Sequence, residues 1–250
     1  MSHIRIKYCG FTRKKDISTA INYDIDALGF VLFRNSIRFI TAEQWGTLTI
    51  TLPILIQIVG VLVALPLFAV RKVHRRITFS TLQLHDDLSE HSHFNLGSQS
   101  QSSWFAVVSV KDADIQLNLG DACKSQQPNC HFRGLGVDSY VGSYGGSGKP
   151  FCWTCLPAIG IQNLMVSGGL KIGSVIQFAQ LQGIYQLDVS SGIEMRTVCG
   201  LKSRNKMKNL VSTIRLNSNG HYVLRRAKDS TFSIWKLWGR ICSRGSQLCC

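Results

Sequence analysis

Val166-Ser167-Gly168-Gly169-Leu170 and Asp188-Val189-Ser190-Ser191-Gly192-Ile193-Glu194 decide the fold. Each run follows, or ends, a short apolar segment that reads as a buried strand. Each then supplies Gly and Ser, whose backbone N–H groups and hydroxyls approach an anion closely. Paired turns of this kind are how a (β/α)8 barrel builds a phosphate site, from the loops after its seventh and eighth strands.

Upstream of these turns, short apolar runs recur with polar or helix-like stretches between them. They are Ile4–Tyr8, Ala27–Phe33, Gln57–Val63, Thr81–His85, Phe105–Val110, a weak Leu135–Asp138, Leu164–Ser167 and Gln186–Val189. Helical patterns fall at Asp16–Tyr23, Leu67–Arg76 and Ser174–Leu181. Strands alternating with helices imply βαβ units and a parallel sheet. Eight such units predict an α/β chain with one (β/α)8 TIM barrel over residues 1–213. A doubly wound dinucleotide fold is the alternative, but it wants G-x-G-x-x-G after its first strand. Here that position reads Tyr8-Cys9-Gly10-Phe11-Thr12-Arg13.

The composition suits one large domain: 250 residues, 45% hydrophobic and 17% charged. A net charge of +14, from 28 Lys and Arg against 14 Asp and Glu, implies attraction for anions. The basic residues are scattered and no helix-turn-helix or RNA-binding signature appears, so nucleic acid is not the expected partner. Nine cysteines form no even framework, and no apolar signal-peptide core precedes Cys9. A reducing cytoplasm and free thiols are expected. Leu48 to Val70 carries no charge and precedes Arg71, Lys72, Arg75 and Arg76, the pattern of a membrane span. Pro53, Gly60 and Pro66 interrupt it, and it also parses as a helix end, a β-branched strand and a helix start. The latter parse, with no membrane contact, is preferred.

Three stretches fit no barrel role: Glu90–Ser103, Asp121–Arg133 and residues 214–250. The last is an unassigned basic tail with Trp235, Trp238 and a Cys249-Cys250 end. Intact motifs flank these patternless stretches, which suggests out-of-frame translation, or in the tail disorder or a small interaction extension.

Chemistry in this fold class sits at the C-terminal ends of strands. That rule selects Cys9, Arg38, His85, Asp138 and the two glycine turns. A thiol and a carboxyl on opposite sides of a barrel mouth form a general base and acid. A free thiol titrates near about 8.5, and basic neighbours such as Lys7 or Arg38 lower that. The plainer role for Cys9 is a small buried apolar residue. Gly142–Lys149 approaches a P-loop, but Pro150 follows the lysine and the first glycine is misplaced, so a mobile lid is the better reading. Cys152 and Cys155 have C-x-x-C spacing with nothing to complete a metal or redox site.

In order along the chain, these motifs resemble the phosphoribosylanthranilate isomerase family. Lys7-Tyr8-Cys9-Gly10-Phe11-Thr12 resembles its K-I-C-G-I-T opening, and Asp26-Ala27-Leu28-Gly29-Phe30-Val31 its D-A-I-G-F-V second strand. Asn35-Ser36-Ile37-Arg38-Phe39-Ile40 is similar to K-S-P-R-Y-I, with Ile37 replacing the proline. Val137-Asp138-Ser139-Tyr140 resembles L-D-T-Y, and Gly145 to Trp153 resembles G-G-T-G-K-x-F-D-W, with Cys152 replacing Asp. The final two turns match closely, whereas Cys199-Gly200-Leu201-Lys202-Ser203 stands for P-G-I-K-D.

The resemblance implies an Amadori rearrangement of N-(5-phosphoribosyl)anthranilate in tryptophan biosynthesis, by proton transfer without metal or organic cofactor. It implies Asp138 as general acid and Cys9 as general base. Arg38 would take the anthranilate carboxylate, Asp188 would lie near the ribose or bridging nitrogen, and His85 would be a further substrate-binding residue. Gly168, Gly169, Ser191 and Gly192 would hold the phosphate. The implied partner is a small phosphosugar–anthranilate conjugate, bound by a monomer or homodimer. Competing readings are a binding-only barrel that has lost catalysis, or a related phosphosugar barrel of the indole-glycerol-phosphate synthase or histidine-pathway type. Those relatives use Lys/Glu or Asp/Asp sets, so Cys9 with Asp138 argues for the first reading.

Overall fold

The computed structural model describes residues 4–49, 52–85, 103–110, 132–139, 164–179 and 183–218. Eight parallel strands close into a barrel in sequence order. They are β1 (Arg5–Cys9), β2 (Ala27–Val31), β3 (Gln57–Val63), β4 (Thr81–His85), β5 (Ser103–Val110), β6 (Phe132–Ser139), β7 (Leu164–Ser167) and β8 (Ile184–Val189). The described helices are α1 (Lys14–Ile21), α2 (Ala42–Thr49), α3 (Leu67–Arg76), α4 (Ile172–Ala179) and α5 (Arg204–Ser218). The (β/α)8 expectation is met. The runs Gly142–Lys149 and Cys152–Cys155, most of the two patternless internal stretches, and the chain beyond 218 lie outside the described residues.

Side chains alternate across each strand. Ile6, Tyr8, Leu28, Phe30, Leu82, Leu84, Val166 and Leu187 join the main core beneath the helices. Tyr8 keeps its hydroxyl satisfied there by donating to the Met207 carbonyl, 2.7 Å away on α5. Phe30 meets Trp45 edge-on at 5.1 Å, and Trp45 lies 4.3 Å from Phe79. These three rings join β2, α2 and the approach to β4.

The other strand face lines the barrel, and it is unusually polar. Such interiors are ordinarily filled by branched aliphatic residues in layers. Here the lowest layer contains a hydrogen-bonded chain, Arg5 Nη2 to Gln57 Oε1 (3.1 Å) and Gln57 Nε2 to Thr81 Oγ1 (2.7 Å). Apolar side chains group on either side of the interior: Cys9, Val31 and Val61 in one cluster, Phe105, Val107 and Met165 in another.

The uncharged run from Leu48 to Val70 folds as the end of α2, all of β3 and the start of α3. Among the described residues no helix is long and apolar enough to cross a membrane. α2 opens with a reciprocal cap: the Gln44 amide N–H reaches Thr41 Oγ1 (3.2 Å), and the Thr41 N–H reaches Gln44 Oε1 (2.9 Å). This T-x-x-Q pairing satisfies two donors that a helix start leaves open.

Most element bounds shift by one or two residues from the sequence reading, and two differ by more. β6 begins at Phe132, before the expected Leu135, and the stretch looks weak because glycine replaces apolar residues there. At Gly136 the place of a side chain is already filled: a Cβ would stand 2.7 Å from Met165 Cε and 2.8 Å from Val107 Cγ2. The pairing with β5 also shifts register between Trp104 and Phe105. At the other end, α5 continues past residue 213 to Ser218. Ile214 is fully buried, and Arg215 donates to the Ile4 carbonyl (2.9 Å) and to Asp26 Oδ2 (3.0 Å). The barrel therefore uses the first residues of what composition alone assigns to the tail.

Trp45→Ala removes the middle ring of the aromatic group. It should destabilise the protein by about 3–5 kcal/mol, read from the urea midpoint. A change well under 1 kcal/mol, on the order of a surface substitution, would remove α2 from the packing account.

Candidate active site

β1 lies between β8 and β2, and this order composes the mouth. Cys9 ends β1, Asp188 stands near the end of β8, and Arg38 lies in the loop after β2. His85 ends β4. Asp138, half-buried near the end of β6, is in register with Ser167 on β7 and Ser109 on β5. The candidate residues thus converge on one rim, with the two glycine turns beside them.

Gly168 and Gly169 have φ of 86° and 61°, which glycine adopts without the strain a Cβ brings. The chain then enters α4, whose N-terminus faces the same rim and carries partial positive charge. Gly192 lies so close to the Leu170 carbonyl oxygen that a Cβ would overlap it. The two turns therefore pack on one another. Ser190 Oγ donates to the Cys9 carbonyl (3.1 Å), and Ser167 Oγ to the Val137 carbonyl (2.9 Å).

Below the rim, Lys7 is fully buried and donates to Asp188 Oδ2 and Gln83 Oε1, both at 2.6 Å. An ammonium only donates, so it fixes the Gln83 amide with oxygen toward Lys7. The Gln83 Nε2 group then donates to Asp188 Oδ2 (3.2 Å) and His85 Nε2 (2.8 Å). His85 accepts at Nε2 and carries its proton on Nδ1. Asp188 Oδ1 is buried and has no hydrogen-bond partner among the described residues. Cys9 Sγ and Lys7 Cε stand 2.6 and 2.9 Å from the point where a Cβ on Gly29 would lie. Both side chains use space that this glycine leaves open.

A second buried network lies above. Glu194 takes Arg38 in a two-pronged grip, Nε to Oε1 at 2.6 Å and Nη2 to Oε2 at 2.9 Å. Lys202 Nζ donates to Glu194 Oε1 (2.9 Å), and the Gly200 N–H to Oε2 (3.0 Å).

These surroundings set the acid–base properties. Burial pushes the Cys9 thiol up, and the neighbouring Lys7 opposes it. Burial by itself would lower Lys7, but the Asp188 carboxylate, helped by Cys9, brings the net shift upward. Burial, and then the nearby Lys7 charge, bring His85 down to about 4, so it is neutral at pH 7. Burial would raise Glu194, yet Arg38, Lys202 and the Gly200 N–H hold it down to about 2.

Sequence reasoning names Cys9, Arg38, His85, Asp138 and Asp188, and names Lys7 only as a neighbour of the thiol. It misses Gln83, Glu194 and Lys202 as site residues. The available signals were polar residues at inward positions of β1 and β4, and a glutamate closing the last glycine turn.

Lys7→Met leaves Asp188 buried without its cation, and should cost about 3–5 kcal/mol in urea unfolding. Adding Asp188→Asn should recover part of that loss. His85 holds its proton less readily folded than unfolded, so the unfolded chain carries the extra proton between its ordinary 6.5 and about 4. Stability from this residue is present above 6.5 and falls as pH drops through that window. His85→Gln should flatten the stability profile there, measured by urea unfolding at a series of pH values.

The family described as N-(5'phosphoribosyl)anthranilate (PRA) isomerase matches residues 6–213. The N-(5'-phosphoribosyl)anthranilate isomerase of Herminiimonas arsenicoxydans is 31% identical over 213 residues, covering 85% of this chain and 93% of the relative. That of Nitrosomonas europaea is 32% identical over 213 residues, covering 85% and 95%. Phosphoribosyl anthranilate isomerase from Thermotoga maritima has a similar fold, with a TM-score of 0.73 at 24% identity, over 85% of this chain and 99% of that one. A phosphoribosyl anthranilate isomerase solved in complex with reduced 1-(o-carboxyphenylamino)-1-deoxyribulose 5-phosphate gives 0.67 at 20% identity, over 85% and 99%. With a match from strand β1 into the last helix and relatives above 30% identity, the chain belongs to the N-(5'-phosphoribosyl)anthranilate isomerase family.

Proposed function

We propose that the protein, an isomerase of tryptophan biosynthesis by its family, converts N-(5-phosphoribosyl)anthranilate to 1-(2-carboxyphenylamino)-1-deoxyribulose 5-phosphate with Cys9 and Asp138 as its proton-transfer pair. The observation that carries this reading is the order β8-β1-β2 at the rim. It sets Cys9 between the glycine turns, suited to a phosphate, and the Arg38 guanidinium, suited to a planar carboxylate. A substrate with one such group at each end lies across the thiol.

The chemistry is an isomerisation, so each proton taken is returned. The Asp138 carboxyl gives a proton to the ribose ring oxygen as the C1–O bond breaks, and the nitrogen lone pair forms the C1=N bond of a protonated Schiff base. The Cys9 thiolate then takes the C2 proton, and those electrons flow to the iminium nitrogen. The resulting enol tautomerises to the ketone as C1 gains a proton and the C2 hydroxyl loses one, and Cys9 gives up its proton to solvent while Asp138 regains one, which resets both groups. Asp188 Oδ1, buried and unpartnered among the described residues, accepts from the bridging N–H. A buried acceptor without a protein donor is costly, so a substrate N–H placed against it gains by pairing with it. His85, neutral at working pH, offers a hydrogen bond without adding charge.

Turnover is followed by loss of anthranilate fluorescence from freshly made N-(5-phosphoribosyl)anthranilate. Cys9→Ala and Asp138→Asn should each lower kcat by about 10²–10⁴-fold. Wild-type turnover in either variant removes that residue's assigned role. Retained ligand binding without turnover in the parent protein would favour a binding-only barrel.

A further inference from the structure

We propose that Lys202 is a positioning and specificity residue: by neutralising Glu194 it keeps Arg38 electrostatically available to a substrate carboxylate, and so makes the site select the acid over its amide. This rests on the reading that Arg38 receives the anthranilate carboxylate.

Arg38 poses a problem as an anion receptor. Its guanidinium is already in a bidentate pair with Glu194. An isolated Arg–Glu pair is neutral overall and has little attraction for a second anion. Lys202 changes that sum. Its ammonium is buried, lies 2.9 Å from the same Glu194 oxygen that takes Arg38 Nε, and also donates to the Ser190 carbonyl at 3.2 Å. Two cations then share one carboxylate, and the cluster carries a net charge of +1. Burial keeps salt from screening this excess.

Geometry directs the charge. Glu194 occupies the Nε–Nη2 side of Arg38, so the Nη1–Nη2 edge remains as a second two-pronged face. The Arg38 stem lies against Gly10, where a Cβ would collide with its Cδ. The carboxylate of Glu194 is fixed in turn by Lys202 and the Gly200 N–H, and the Lys202 backbone N–H is tied to Asp16 Oδ2 at 3.3 Å. The receptor is therefore oriented before any ligand arrives. Around Arg38, Glu194 and Lys202 the titratable and charged groups among the described residues are Cys9 on β1, Asp16 on α1 with its partner Arg13, Cys199 before the Gly200 turn, and Lys206 on α5, whose ammonium donates to the Glu194 carbonyl.

The test compares binding of reduced 1-(2-carboxyphenylamino)-1-deoxyribulose 5-phosphate, its carboxamide counterpart, and inorganic phosphate. Wild type should prefer the acid to the amide by about 100-fold, a range reached by buried charge contacts. Lys202→Met leaves Arg38 and Glu194 paired and neutral, so the acid-over-amide preference should fall at least about tenfold, while the amide and inorganic phosphate, which both report the turn that Lys202 also touches at Ser190, weaken together by a smaller common factor. Glu194→Gln with Lys202→Met restores a single positive charge and should recover much of the preference. A merely structural lysine predicts the opposite: acid, amide and phosphate lose affinity equally, and the double variant is worse than the single. A wild-type ratio in Lys202→Met, or no recovery in the double variant, overturns the proposal. No acid preference in wild type itself removes the Arg38 reading, and the proposal with it. If Lys202→Met does not fold, Lys202→Gln carries the same expected and overturning results.

Discussion

The barrel closes on the ion pair between Lys7 and Asp188. The two residues are register partners on β1 and β8, the strands nearest the two ends of the fold, and their charged atoms lie 2.6 Å apart in a fully buried position. A lysine inside a barrel is tolerable because a carboxylate balances its charge and, with an amide oxygen, takes two of its three donors. Moving either strand by one residue would turn its charge to the helix-facing side and leave the other buried without its partner. The pair therefore fixes the seam register. Two residues further along each strand, that register delivers Cys9 and Ser190, joined by their own hydrogen bond.

Along the seam, charge is arranged in two tiers of different net charge. The lower tier, Lys7 with Asp188, is neutral in sum. The upper tier of Arg38, Glu194 and Lys202 is positive. The thiol lies between a compensated pair and an uncompensated cluster. Burial holds it as the protonated thiol, and the cations on both sides oppose that effect without reversing it. The same distribution keeps His85 neutral beside a buried ammonium, so the rim contains a polar ring that adds no charge.

Much of this was legible in the chain. The bounds of β4 and β7 follow directly from their apolar runs, because polar or glycine residues punctuate both ends, and those of β3 from its β-branched residues within a longer uncharged run. Cys9, Arg38, His85, Asp138 and Asp188 follow from the rule that barrel chemistry gathers where strands end, together with the motifs around them. The supporting residues were harder to read, for a physical reason. Lys7 finds Gln83 and Asp188 at separations of 76 and 181 residues, and Arg38 finds Glu194 at 156. Local patterning carries no trace of such contacts. β6 was obscured by its glycines, which exist because Met165 and Val107 fill the space beside them. The cap of α2 was present as Thr41 and Gln44, but the uncharged run that follows drew attention to hydrophobicity instead.

Gly29 has a consequence for how this mouth can vary. Its missing side chain is the recess that admits both the thiol of Cys9 and the stem of Lys7. Any larger residue there must lift the sulfur toward solvent or push the ammonium off Asp188, and either move alters the nucleus of the site. The inner face of β2 is thus closed as a place for adaptation, natural or engineered. Variation in ligand preference has to enter through the loops that surround the rim, where Ile37, largely exposed beside Arg38, has room to change.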